Sequence, residues 1–151
     1  MRLLVGLLAV VTTGAACRAQ DAPAVADAPG LVLRDGVVVE PVTGDVAAGY
    51  VTVTNRTPLP DTLLEVLTPI AASAEVHAQV EAGGMVHMEH QHHLVIPAGG
   101  EVVLAPGGLH LMLQELNATI AAGDTVAVTF RFARAGDLRA EFPVVRYRDL
   151  P

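Results

Sequence analysis

The sequence predicts a single all-β domain, an antiparallel sandwich or barrel of Greek-key type. Hydrophobic residues make up 52% of the chain and charged residues only 17%, which fits buried strands and excludes disorder. Short apolar runs rich in β-branched residues recur at intervals of about 8–12 residues, as in all-β domains. Glycines and prolines lie between these runs, and no segment keeps a helical hydrophobic period. The length of 151 residues suits one domain.

The N-terminus has the layout of an export signal, which we assign to residues 1–19. Arg2 supplies the positive charge, and the apolar run after it is too short to span a bilayer. The only cysteine, Cys17, follows in "GAAC", where a bacterial lipoprotein is cleaved and lipidated, although Gly14 stands where such sites usually carry Leu, Val or Ile. Lipidation of Cys17 and ordinary cleavage after Ala19 are both open. Either route predicts a protein of the periplasm or the outer face of a bacterial membrane, and lipidation of Cys17 would provide its only membrane contact.

After the signal, an Ala/Pro/Asp-rich stretch predicts a linker over residues 20–34, with the folded domain over residues 35–151. Within the domain we predict strands, in chain order, at "GVVVEP", "AGYVTVTN", "DTLLEVLTP", "SAEVHAQV", "MVHMEH", "HHLVIP", "EVVLAP", "GLHLMLQEL", "DTVAVTFRFA" and "LRAEFPVVRYR". Turns are predicted between them at "NRTPLP", "EAGG", "PAGG", "PGG" and "AAGD".

The charge and the missing residue types exclude several functions. The net charge is −7, all nine basic residues are arginine, and aromatic residues make up 3% of the chain, so nucleic acid is not an expected partner. Without lysine the chain has neither Schiff-base chemistry nor a P-loop. Ser73 is the only serine and Cys17 lies in the processing region. We therefore expect no nucleophilic catalysis and no enzyme.

One segment, residues 75–116, holds all six histidines and every methionine except Met1. In "GLHLMLQEL" the leucines alternate with His110 and Met112, so these two side chains share the face away from the core, with Cα atoms about 6.5–7 Å apart. A methionine alone is usually core filler. Beside His110 on the polar face of a strand, Met112 fits a metal ligand better.

A second ligand pair is predicted on the hairpin before this strand. His77 lies off the core face of "SAEVHAQV", and the "EAGG" turn lets the chain bring Met88 back toward it. Val86 and Met88 have the same parity, so we expect a bulge or an irregular loop that redirects one of them.

These donors favour monovalent copper. Thioether sulfur is a soft, neutral ligand that suits Cu(I), and two imidazoles with two thioethers give a neutral four-donor site. Zn²⁺ would prefer thiolate, carboxylate or more imidazole. We expect copper affinity to weaken below about pH 6.5, because a protonated imidazole cannot bind a metal.

The spacing His-x10-Met-x21-His-x-Met, formed by His77, Met88, His110 and Met112, resembles the periplasmic copper chaperones of the PCu(A)C family. "GYVTVTN" and "IPAGGEVVLAPGGLHLMLQEL" are also similar to that family, and the resemblance covers roughly residues 35–146. It implies a cupredoxin-like β-sandwich that binds one Cu(I) near its surface through the four motif residues. It also implies delivery to the copper A centre of cytochrome c oxidase, often with a thiol-bearing assembly factor. We expect the protein to be a monomer.

The chain departs from this family in two ways. It ends at "RYRDLP" without the Met/His-rich tail that members commonly carry, and it has extra imidazoles around Met88. We consider a second metal site, for Cu(II) or Zn²⁺, at His87, Glu89, His90, His92 and His93. The other interpretation of that cluster is loose, incidental metal binding.

Two other functions stay open. One is a periplasmic Cu(II)- or zinc-binding or storage protein that uses the histidine-rich loop. The other is an immunoglobulin-like interaction module with incidental histidines. Metal stoichiometry and oxidation-state preference distinguish both from a Cu(I) chaperone.

Overall fold

A computed structural model describes residues 24–28, 30–42 and 44–150, and this part of the chain is built almost wholly of strands. The strands are β1 (Ala24–Ala28), β2 (Leu31–Val39), β3 (Ala47–Asn55), β4 (Asp61–Leu67), β5 (Ala71–Ala82), β6 (Met85–His90), β7 (Leu94–Ile96), β8 (Glu101–Leu104), β9 (Leu109–Leu116), β10 (Thr125–Phe132) and β11 (Gly136–Val145). A 3-10 helix, Tyr147–Asp149, follows β11. Among these residues, no helix has the length and apolar character needed to cross a membrane.

The strands form one sheet that closes on itself. Their order is β1-β2-β11-β10-β4-β5-β9-β3-β8, with β6 paired to β5 and β7 to β4. Because β2 also pairs with β3, the strands from β2 to β3 make a closed ring with a filled interior. The β11–β2 pairing is parallel, and the other pairings of the described strands are antiparallel. This arrangement confirms the predicted all-β class.

Period-2 alternation places the core inside the ring. β3 alternates strictly between buried and half-buried residues, and β9 buries Leu111 and Leu113 completely. Phe130 and Phe142 supply the largest buried side chains, with ring centroids 5.9 Å apart. Packing of the two leucines into the core therefore fixes the orientation of β9, and with it the direction in which the alternate side chains of the strand project.

The predicted linker over residues 20–34 is wrong for its described part. Ala24–Ala28 is a strand paired with β2, and β2 begins at Leu31. Both Leu31 and Leu33 are buried in the core. The composition was misleading because strand pairing uses backbone groups, which an alanine-rich segment offers as well as any other. The export signal and Cys17 lie outside the described residues.

β5 and β6 form a hairpin whose far end leaves the barrel. Its two-residue turn is Gly83-Gly84, with φ of +63° and +77°, a conformation that glycine adopts without strain. Every residue of β6 is exposed, and β6 pairs with β5 alone. The register runs through β6 without a break, so the expected bulge near Met88 is wrong. Val86 and Met88 share one face as their parity requires, since neither face of β6 is covered by the core.

Candidate metal centre

Three histidines form a row across the β9, β5 and β6 strands. His77 on β5 pairs directly with His110 on β9, and His90 on β6 pairs with His77 from the other side. Paired residues in adjacent strands project from the same face of a sheet, so the three imidazoles are neighbours. The ring centroids of His77 and His110 are 6.2 Å apart, and those of His77 and His90 are 5.4 Å apart and stacked.

The two predicted thioether ligands flank this row on the same face. Met112 pairs with Glu75 and Met88 pairs with Gln79, so each methionine is a diagonal neighbour of His77. Diagonal neighbours are about 7–8 Å apart, within reach of a long side chain. The two methionines lie on opposite sides of His77 along the strand direction, however. In a flat sheet their Cα atoms would be about 17 Å apart. The described structure thus brings His77, His110 and Met112 together and leaves Met88 farther out.

Exposure rises steadily along the row. His110 is 7% exposed, the side chains of His77 and His90 are 14% and 36% exposed, and Met88 is 52% exposed. His92 follows on the surface, with its ring centroid 4.2 Å from that of His90. The candidate ligands therefore extend from the barrel wall to the exposed hairpin.

One nitrogen of each predicted histidine ligand is already held by a hydrogen bond. His110 Nδ1–H donates to the carbonyl oxygen of Gly108 at 3.0 Å, which leaves Nε2 with its lone pair. His77 Nε2–H donates to Glu75 Oε2 at 2.9 Å, which leaves Nδ1 bare. Metal-binding histidines are characteristically oriented in this way by a carbonyl or a carboxylate.

The bare nitrogen of His77 has no partner within the described part of the chain. His77 Nδ1 is buried and makes no hydrogen bond there. An unsatisfied buried polar atom usually costs about 1–3 kcal/mol. A metal ion bound at this nitrogen would remove that penalty, so the donor chemistry fits a metal.

Glu75 connects the histidines electrostatically. Its Oε2 accepts hydrogen bonds from His77 and from Gln114 Nε2, at 3.3 Å, and lies 3.9 Å from His90 Nδ1. The hydrogen bond from His77 lowers the pKa of Glu75, burial opposes that shift, and His90, His77 and His92 add an attraction that lowers it further. Glu75 is thus an ionised acceptor at neutral pH.

The geometry is not that of a preformed carboxylate–histidine site. Among the described residues, no three His, Cys, Asp or Glu side chains are already arranged to hold a metal ion. A cleft of about 190 Å³ opens beside the row, and its lining includes Glu75, His90 and His92. The organised part is the histidine row with its hydrogen-bonded nitrogens, and solvent reaches its outer end.

The residues considered for a second metal site do not come together as one set. His87 and Glu89 pair with Val80 and Ala78, on the face of the hairpin opposite His90. His93 is exposed after the end of β6, and His92 lies next to His90. A metal site built from all five would require the hairpin to rearrange.

Sequence reasoning gave Glu75 no role in the site and missed the place of His90. Glu75 and His77 share parity on one strand, so their common face was readable from the sequence. The place of His90 depends on the register: the Gly-Gly turn pairs Ala82 with Met85, and counting back along both strands pairs His77 with His90. That register needs the turn type, which the letters "EAGG" alone do not fix.

Comparison with known protein sequences identifies a family and a relative. Residues 31–144 match the family described as "Putative lipoprotein LpqE-like". A Leifsonia xyli subsp. xyli protein named "Putative lipoprotein Lxx21020" is 39% identical over 75 residues, which span 49% of this chain and 45% of that relative. This chain thus matches less than half of that relative's length.

Solved structures whose names record bound copper are also similar. The copper-bound PCuAC domain from PmoF2 superposes with a TM-score of 0.70 at 21% identity, over 81% of this chain and 97% of that one, and shows the fold. The solution structure of CuI-DR1885 from Deinococcus radiodurans has a TM-score of 0.62 at 30% identity, over 74% of this chain and 76% of that one. The chain belongs to the LpqE-like family, and its domain has the fold of the PCuAC domains, as the resemblance predicts.

Proposed function

We propose that this protein is an exported copper chaperone that binds Cu(I) through His77, Met88, His110 and Met112. The observation that carries the proposal is their common face: the four side chains project from one side of the β6–β5–β9 sheet around His77. Both imidazoles are oriented by hydrogen bonds from their second nitrogen. The relative from Deinococcus radiodurans, whose structure is named for bound Cu(I), supports the choice of metal.

The donor set suits a monovalent ion that must be released again. Thioethers are soft and uncharged, so they stabilise Cu(I) without the strong charge attraction that would hold a divalent ion. The absence of a thiol ligand fits an oxidising compartment outside the cytoplasm. The carbonyl of Gly108 and the carboxylate of Glu75 keep the imidazoles in the tautomers that a metal requires.

Met88 reaches the ion by movement of the hairpin. β6 buries no residue, so bending it toward β9 sacrifices no core packing. Segments with few buried contacts open and shift at low free-energy cost. Copper therefore binds first to His77, His110 and Met112, and Met88 closes over the ion as the fourth ligand.

Copper release reverses these binding steps, and the order of the steps indicates which ligands a partner protein must offer. A partner that offers thiolates or imidazoles at the exposed hairpin displaces Met88 first and then withdraws the ion. The resemblance points to the copper A centre of cytochrome c oxidase or to a thiol-bearing assembly factor as acceptor. The relative from Leifsonia xyli carries the name of a lipoprotein, which supports a lipid anchor at Cys17 that keeps the domain at the membrane surface.

A Cu(I) competition titration under anaerobic, reducing conditions tests the proposal. The mature domain should bind one tight Cu(I), and a Met88→Ala/Met112→Ala variant should lose it or bind much more weakly. Met85→Ala is the matched control, because Met85 lies on the same strand but on the opposite face, paired with Ala82. Repeating the titration at pH 7.5 and 5.5 should show weaker binding at the lower pH, since protons compete for the imidazoles.

Two results would reject the thioether site. Equal Cu(I) affinity in the wild type and the double variant would make the methionines bystanders. A flat response to pH would remove the histidines from the ligand set. Delivery is tested separately, by following copper transfer from the loaded domain to a soluble copper A domain; no transfer would leave a binding or storage protein.

A further inference from the structure

We propose that His77, His90 and His110 form a Cu(II) site that shares two imidazoles with the Cu(I) set, so that the chain holds one copper ion in either oxidation state. The inference rests on the proposed function for His77 and His110 alone. His90 is the new ligand, and its place opposite His77 is the observation that carries it.

The spacing of each neighbouring pair of rings fits a shared ion. A metal–nitrogen bond of about 2.0–2.1 Å places the centroid of a bound ring roughly 3.2 Å from the ion. Two rings bound at a tetrahedral angle then have centroids about 5 Å apart, and two rings on opposite sides of the ion have centroids about 6.3 Å apart. The observed separations are 5.4 Å between His77 and His90 and 6.2 Å between His77 and His110. His77 lies between the other two rings, so bringing His90 and His110 onto one ion requires the hairpin to bend toward β9, which β6 can do because it buries no residue.

The ligand types fit the divalent ion. Cu(II) binds imidazole nitrogen more strongly than the other common divalent metals do, and it has less preference for thioether than Cu(I). Glu75 lies 2.9 Å from His77 Nε2 and 3.9 Å from His90 Nδ1, so its negative charge partly offsets the extra positive charge of a divalent ion. His92, beside His90, is placed to supply a fourth nitrogen.

The hairpin can supply either ligand type. Met88 and His90 are two residues apart on β6 and project from one face, which is exposed along its length. In the described register His90 is opposite His77, and Met88 is one diagonal step away. A small shift of the hairpin therefore exchanges an imidazole for a thioether while His77 and His110 stay in place on the barrel.

A Cu(II) titration of the mature domain, followed by calorimetry and by electron paramagnetic resonance, tests this. We expect one Cu(II) per chain in the wild type, with a spectrum of at least three nitrogen ligands. His90→Ala should weaken Cu(II) binding by about 10-fold or more and remove one nitrogen from the spectrum. His87→Ala is the matched control on the same strand, because His87 pairs with Val80 on the opposite face, and it should behave as the wild type.

The outcomes separate this inference from the Cu(I) proposal. An unchanged Cu(II) affinity and spectrum in His90→Ala would overturn it. A Cu(II) ion that remains bound in a His77→Ala/His110→Ala variant would also overturn it, since the site would then be a separate one on the hairpin. A Cu(I) competition titration of His90→Ala should give the wild-type affinity within about 3-fold. If the wild type binds no Cu(I), the proposed function is rejected. The Cu(II) titration of His90→Ala would still decide the role of His90.

Discussion

The two halves of the candidate metal centre are built in opposite ways. His110 and Met112 are on β9, a strand paired on both sides, with Leu111 and Leu113 completely buried behind it. Met88 and His90 are on β6, where every residue is exposed and β5 is the only neighbour. Core packing therefore fixes the position of His110 and Met112. The position of Met88 and His90 depends only on the two-residue turn and on the pairing of β6 with β5.

If the protein acts as the proposed copper chaperone, this difference matters, because such a protein must hold a metal and give it up. Ligands on the barrel cannot move apart without loss of core packing, so they set a constant part of the affinity. Ligands on the hairpin move at little cost, because their displacement exposes no buried apolar surface. Holding and release can then be tuned separately, by changes on β9 and on β6.

The largest expected effect is on stability and is confined to the barrel. Leu111→Ala should lower the free energy of unfolding by about 2–5 kcal/mol, because it removes a buried side chain from a closed core. Val86→Ala, on the exposed hairpin, should change it by less than about 0.5 kcal/mol. Urea unfolding of both variants measures the contrast. A comparable loss in Val86→Ala would mean that the hairpin packs against something and is not free to move.

The next effect is on copper affinity and compares histidines on the two halves. His110→Ala should weaken Cu(I) binding by about 100-fold or more, since loss of an orienting partner alone typically costs 10–100-fold and a ligand is worth more. His87→Ala should leave the affinity unchanged, because His87 projects from the opposite face of β6. Competition titration measures both variants. Equal losses would indicate that copper binds to the hairpin as a loose histidine cluster.

The sequence predicts the barrel half of the site better than the hairpin half. Alternation in "GLHLMLQEL" placed His110 and Met112 on one face, because the buried leucines fix which way the strand faces. On the hairpin no buried residue gives that information, so the parity of Val86 and Met88 was misread as a bulge. Likewise, β1 was missed because Ala24–Ala28 carries no apolar alternation, and only its pairing with β2 makes it a strand. Sequence patterns report burial, and where burial is absent the register has to come from the structure.

A smaller effect concerns the group that connects the two halves. Glu75→Gln keeps a hydrogen-bond acceptor for His77 but removes the negative charge, so we expect Cu(I) affinity to fall by about 10-fold with no change in unfolding. Glu81→Gln is the control, because Glu81 is exposed near the hairpin turn and pairs with Val86. Competition titration and a thermal melt separate the two effects. If both variants lose affinity equally, the cause is general charge near the hairpin and not the hydrogen bond to His77.

The smallest expected effect concerns charges on the outside of the barrel, which contribute less to the stability of the fold than its core does. Arg131 donates from Nε to Asp137 Oδ1 at 2.9 Å, and this hydrogen bond is the main cause that lowers the pKa of Asp137 below its usual 3.8. A carboxylate whose pKa is lower in the folded state stabilises the fold above its ordinary pKa, and the contribution is lost as pH falls through the lowered value. Asp137→Asn should therefore cause a small destabilisation at pH 7 that disappears by about pH 2, because exposed ion pairs are weak. Thermal melts at both values measure it, with Leu111→Ala as the reference whose deficit persists at low pH. A deficit in Asp137→Asn that is independent of pH would mean that the amide disturbs the β10–β11 pairing, and that charge is not the cause.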